Sequence, residues 1–239
     1  MMLRTLAGFV RRHRLLALVT LVVLPLLLMA GKCVDNETLY QDTSGDWHVV
    51  GEIHNDTDIW GADMTVGGDL LDADGNVIAT THAPLCPLEL KAHSFDGFDL
   101  HFPSSSGLHP ASYAIHMTGG HTVDHALPDS GLSLDGFTAT RQAGAVHISG
   151  TVATTHTYSR ILTGCIAFYN STGKVVMHIT AINFGLTLPL VAGTPQPVSF
   201  PIPGVPSNAT SIKLWLAGDS ATPLASDYAA VMTDGIAIR

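Results

Sequence analysis

"TLYQDTSGDWHVVGEI" at 38–53 returns 99 residues later as "FTATRQAGAVHISGTV" at 137–152, matching Gly45 with Gly144, His48 with His147 and Gly51 with Gly150. The echo continues in order. "LDADGNVI" from Leu71 lies against "YNSTGKVV" from Tyr169 at an offset of 98, "FDLHFP" at 98–103 against "VSFPIP" at 198–203, and "SYAIHMTGG" at 112–120 against "SIKLWLAGD" at 211–219. Four segments in one order at nearly one offset mark a unit built twice. A chain of 239 residues has room for two such units, each able to bury its own core.

Each copy reads as short strands separated by turn residues. Tyr113, Ile115 and Met117 share one face of a strand, and Ile212, Leu214 and Leu216 share the matching face in the second copy, so both faces are expected to be buried. Val50 and Ile53, with Ile148 and Val152, belong to early strands; Phe98, Leu100 and Phe102 correspond to Val198, Phe200 and Ile202 in later ones. With 13% charged and 46% hydrophobic residues, 23 Gly and 13 Pro, the balance suits strands and turns better than helices or disorder. The expected fold is all-β, two antiparallel sandwiches in tandem.

The strand and turn "DLLDADGNVI" and its echo "IAFYNSTGKVV" resemble the signature of FxLYD-type domains. Against F-x-L-Y-D the first copy has Leu70 and Asp72, with Gly68 and Leu71 at the aromatic positions; the second has Tyr169, with Ile166, Phe168 and Asn170 as substitutes. A preceding G-x-[IV]-x-N pattern is kept at Gly51-Glu52-Ile53-His54-Asn55. The resemblance covers most of 45–120 and 144–219. It implies immunoglobulin-like sandwiches in an exported, membrane-anchored prokaryotic protein, and it carries no catalytic residues.

Three parts are therefore expected: an N-terminal hydrophobic helix over 1–32, a first sandwich over 33–130 and a second over 131–239. "LSLDGFTATR" at 132–141 is echoed by "VMTDGIAIR" at 231–239, so the joining strand recurs at the C-terminus with no copy to join. Either it completes the preceding sandwich or it is free for a neighbour. Completion is the expectation, because an unpaired edge is a liability; the free form would suit self-assembly by strand donation in a surface filament.

"RRHRLLALVTLVVLPLLLMAGK" is a basic cluster followed by the uncharged run Leu15–Gly31, which reads as an export signal or a slightly short membrane span. The arginines should stay cytoplasmic and all that follows Lys32 should lie outside. A cut after Gly31 would put Met29 at the −3 position, which favours an uncleaved anchor. Lys32 between Gly31 and Cys33 speaks against lipidation of that cysteine. Beyond residue 32 the chain has 6 basic and 20 acidic residues, a net charge of −14 that should repel nucleic acid. Cys33, Cys86 and Cys165 are an odd count for an oxidising compartment. A Cys86–Cys165 bridge would tie the halves together; a pair of buried free thiols is the other reading.

Several stretches invite a functional reading. Asp72-Ala73-Asp74-Gly75 could open a calcium loop, but counting back from Gly75 puts Leu70 at position 1 and Thr81 at position 12, where neither ligates. A hairpin turn fits better, and Asn170-Ser171-Thr172-Gly173 keeps the turn chemistry without the acids. His116, His121, Asp124 and His125 are the densest polar cluster and could bind zinc or copper, although His121 and His125 fall where a loop between domains is expected. "PSSSG" at 103–107, near His109, lacks a G-x-S-x-G elbow and reads as a loop. Trp47, Trp60 and Trp215 could stack on a ligand or pack internally, with Trp215 at the outward phase of its strand. Sequons stand at Asn36, Asn55, Asn170 and Asn208. The chain thus reads as a binding, adhesive or structural module without an enzymatic centre or cofactor. Its partner would be a protein or surface polymer, with specificity in the loops around 55–62, 82–96 and 104–110 and their second-copy partners.

Overall fold

The computed structural model describes residues 32–86, 90–103, 107–123, 131–155, 163–182, 186, 190–219 and 228–239. The uncharged run Leu15–Gly31 lies outside these residues. No helix among the described residues is long and apolar enough to cross a membrane.

The described residues are all-β, and the paired strands within each sheet run antiparallel. In the N-terminal half, β1 (Lys32–Gln41), β2 (Trp47–Asn55) and β5 (Ser94–Phe102) form one sheet in the order β1-β2-β5, and β3 (Trp60–Leu71), β4 (Val77–Pro84) and β6 (Ser112–Val123) a second in the order β4-β3-β6. In the C-terminal half, β7 (Leu132–Gln142), β8 (Ala145–Thr154) and β11 (Gln196–Pro203) repeat the first sheet as β11-β8-β7. The second recurs as β10 (Val175–Ile182), β9 (Thr163–Asn170) and β12 (Ala209–Asp219), extended by β13 (Tyr228–Met232) and β14 (Ile236–Ala237), both paired with β12. The repeat in sequence is thus a repeat in strand order.

Turn chemistry sets the registers. In the Asp72–Asn76 turn the Gly75 N–H donates to the Asp72 carbonyl (3.1 Å), and the Asp72 Oδ1 accepts from the N–H groups of Asp74 (2.9 Å) and Asn76 (2.8 Å). Gly75 takes φ +81°, where an L side chain would be strained. Asn170 and Gly173 repeat the arrangement, and so do Asp42 and Gly45 between β1 and β2. The expected hairpin is therefore present, and its leading acid is engaged by backbone N–H groups. The Asn76 side-chain amide, donating to Oδ2 (3.1 Å), is the foremost of the hydrogen bonds that hold the Asp72 carboxyl below its usual range, with the backbone N–H groups adding to it.

Alternation places Val49 and Ile53 of β2, Val66 and Leu70 of β3, and Phe98, Leu100 and Phe102 of β5 in one core. Val146, Ile148 and Val152 of β8, Ile166 and Phe168 of β9, and Ile212, Leu214 and Leu216 of β12 make the corresponding core of the other half. One expectation needs adjustment. Tyr113, Ile115 and Met117 pack against their core but are only partly buried, whereas their counterparts Ile212, Leu214 and Leu216 are 0% exposed.

That difference follows from the strand count. The joining strand β7 pairs with β8 over most of its length. The C-terminal strand completes the half that precedes it, as expected: Met232 to Tyr228 run against Trp215 to Asp219, and Ile236 and Ala237 against Ile212 and Ser211. A parallel bridge from Ile238 to Ala139 then ties it to β7. The outer edge of β12 is covered. Among the described residues no strand lies along the outer edge of β6.

Candidate functional site

The odd-phase residues of β2 and the even-phase residues of β9 fill the two cores, and on the other phase Val50 and Glu52 of β2 and Cys165, Ala167 and Tyr169 of β9 are also buried. Val50 of β2 joins Cys165, Ala167 and Tyr169 of β9, Val175 of β10 and Trp215 of β12 in a third apolar cluster, with Tyr40, Cys86 and Phe95 packed around it. The outer face of sheet β1-β2-β5 thus lies on the outer face of sheet β10-β9-β12. This seam is where the chemistry of the molecule is concentrated.

A disulfide joins Cys86 to Cys165 across it, with Cα atoms 6.1 Å apart, a normal spacing for such a bridge. Of the two sequence readings for these thiols, the bridge is the one found. Cys33 lies in β1. Trp215 is 2% exposed, set edge-on against Phe95 and near His178. Its outward phase therefore points into the seam, and it is unavailable to a ligand from solvent. Trp47 packs on the N-terminal core, and Trp60 lies beneath the Lys91 ammonium at 5.8 Å.

Glu52 sits in the seam, 2% exposed. A buried carboxylate is costly unless its oxygens are fully engaged. The Tyr169 hydroxyl donates to Oε1 (2.7 Å), the Lys213 Nζ lies 3.7 Å from the same atom, and the Asn36 amide donates to Oε2. Asn36 reaches it because β1 bulges between Asp35 and Thr38, with Asn36 at φ +60°. Lys213 also lies over the rings of Phe95 (3.8 Å) and Tyr169 (5.0 Å). Burial, only partly offset by Glu52, lowers the Lys213 pKa; burial, reinforced by Glu52, raises that of Tyr169.

His178 of β10 is packed on Gly97 of β5, where an added Cβ would stand 2.3 Å from its Nε2. Both ring nitrogens are buried, with no hydrogen-bond partner among the described residues. Burial pulls its pKa down to about 4 against the opposing charges of Asp99 and Glu52, so the ring is neutral near pH 7.

At one end of the same sheet face, His48 is stacked between Tyr40 and His101, with centroids 5.0 and 4.9 Å away. The His48 Nδ1–H donates to Asp99 Oδ1 (2.8 Å), its Nε2 lies 3.7 Å from Asp42, and His101 Nε2 donates to Asp46 (2.8 Å). Burial works against a charged His48 ring. The bond to Asp99 and the charges of Asp99, Asp42 and Asp46 outweigh it, and the pKa rises. Each imidazole of this array is turned to a carboxylate.

Of the predicted metal residues, His116 and His121 are exposed on β6, and His121 lies 3.8 Å from Asp63. His121 belongs to the strand, which runs on to Val123 instead of giving way to a loop. Asp124 and His125 lie outside the described residues. Among the described residues no group of three His, Cys, Asp or Glu side chains is placed to hold a metal ion. Of the PSSSG loop, Ser104, Ser105 and Ser106 also lie outside them. Among the sequons Asn55 is fully buried, its amide donating to the carbonyls of Ile59 (2.7 Å) and Lys91 (3.0 Å), while Asn208 is exposed.

Sequence reasoning missed Glu52, Tyr169, Lys213 and His178 as a set. One signal was available: Glu52 interrupts the apolar run Val49-Val50-Gly51-Ile53, and an acid there needs a buried partner. No family model matches the chain, and a search of curated proteins finds none similar to it.

Proposed function

We propose that the chain is a non-enzymatic binding or structural module working outside the cytoplasm, held to the membrane by its N-terminal span. Each half is read as an immunoglobulin-like sandwich. The order β1-β2-β5 over β4-β3-β6, repeated as β7-β8-β11 over β10-β9-β12-β13, supports that reading. The observation that carries the address is the bridge between Cys86 and Cys165, since such bonds persist in oxidising compartments. Clamped halves give a fixed frame on which sheet edges and the loops around 55–62, 82–96 and 104–110 meet a protein or surface polymer by complementarity.

Intact cells expressing the full chain provide the test. Cys86 and Cys165 should resist a thiol-alkylating reagent until a reductant is added, and external protease should reach the body once any outer wall or membrane is opened. Thiols that react without reductant, on a chain that protease spares, would overturn the address. The zinc or copper reading of His116, His121, Asp124 and His125 is checked by titrating either ion into the purified protein, where no micromolar binding is expected.

A further inference from the structure

We propose that the seam between β1 and β6 is a strand-accepting slot, filled by an extended segment of a partner polypeptide that runs antiparallel to β6 and is uncharged opposite Ser112–Thr118. The C-terminal half is the template. There the same position is taken by β13 and β14, antiparallel to β12 and parallel to β7 at the Ala139–Ile238 bridge. The Thr233 N–H donates to the Leu214 carbonyl (2.9 Å), and the Leu214 N–H donates to Thr233 Oγ1 (3.0 Å). Ile236 and Ile238 pack onto the core behind that strand.

By the repeat, Ile115 stands where Leu214 stands, so its N–H and C=O face the open edge, and alternation gives Tyr113 and Met117 the same orientation. These three side chains are partly buried, while Ile212, Leu214 and Leu216 behind the covering strand are 0% exposed. The open edge thus leaves apolar surface for an incoming strand to cover. Among the described residues no strand is paired with this edge.

Along Ser112–Met117 the edge pairs regularly with β3, the register shifts falling beyond it from Thr118 to His121, and it lacks charged and proline guards. β6 is twelve residues long and contains no Lys, Arg, Asp, Glu or Pro, the residues that discourage strand addition. An uncharged edge on a body of strong negative charge favours a strand that brings apolar residues at alternate positions and main-chain hydrogen bonds, the mode of β-augmentation. This deepens the binding reading by giving it a site. Its test reads edge occupancy, whereas the alkylation test reads address, so either can fail alone.

The probe is a synthetic peptide with the sequence Tyr228–Arg239 carrying Asp234→Asn, because the charge that faces Lys213 in the template would face Ala114 in the slot, added to the full chain in detergent micelles, with amide hydrogen exchange as the readout. The amides of Tyr113, Ile115 and Met117 are expected to exchange about tenfold more slowly or better at saturation. A peptide carrying Thr233→Pro, which lacks the N–H that bonds Leu214 in the template, should give no protection. Three results would each overturn the slot: no slowing at millimolar peptide, slowing confined to β12 through exchange with its own strand, or slowing without peptide that grows with protein concentration. The last would mean pairing of β6 with β6 of a second copy.

Discussion

His178 shows how one side chain can make the seam sensitive to acid. Its ring in the unfolded chain takes up a proton near the ordinary histidine value of about 6.5, whereas the buried ring does so at about 4. Between those values the unfolded state holds more protons, so stability falls as pH falls, by up to roughly 3 kcal/mol over that window. His178→Leu should flatten this limb relative to the parent, measured as urea unfolding free energy at a series of pH values; a parallel curve would refute the assignment. His48 works in the opposite sense: its raised pKa adds stability below about 6.5 that is lost as pH rises through the folded value. Glu52 yields a second prediction. Tyr169→Phe removes its shortest described donor after Asn36 and should cost about 1–3 kcal/mol, read from the denaturation midpoint with the disulfide intact. These residues were hardly legible in the sequence because their environment is made by the other half of the chain. Alternation says that Glu52 and Trp215 leave their own cores, but not that two outward faces meet.

Elements were far more legible, since a hairpin is decided by residues a few positions apart. Asp72, Gly75 and the run Val77 to Pro84 fix the turn and the strand after it, and Asn170 with Gly173 does the same in the second copy. Gly75→Ala, forced to φ +81° in open space, should cost about 1 kcal/mol, while Ala73→Gly should change stability by no more than about 0.5 kcal/mol. Thermal unfolding of both variants checks the contrast. Edge occupancy was less legible. The strand 132–141 and its echo at 231–239 look alike, yet the first opens the second half and the other closes it. Pairing across roughly a hundred residues depends on which partner lies near, and no local pattern carries that.

The whole molecule is held at its seam by the bridge between Cys86 and Cys165, 79 residues apart. In the chain-entropy account, closing a loop of that length is worth about 4 kcal/mol. Cys86→Ala with Cys165→Ala should lower the unfolding free energy by roughly 2–4 kcal/mol and expose Trp215, seen as a red shift of its fluorescence before the cores unfold. A single unchanged transition would argue that the apolar cluster alone suffices. The contact itself is head to tail, because the outer β1-β2-β5 face of one copy meets the outer β10-β9-β12 face of the other. By the repeat, Gly67, Asp69 and His116 stand at the places of Cys165, Ala167 and Trp215, while Ser149 and Thr151 stand at those of Val50 and Glu52. Neither remaining face repeats the residues of the joint, so the two halves turn unlike faces outward and the protein has a direction.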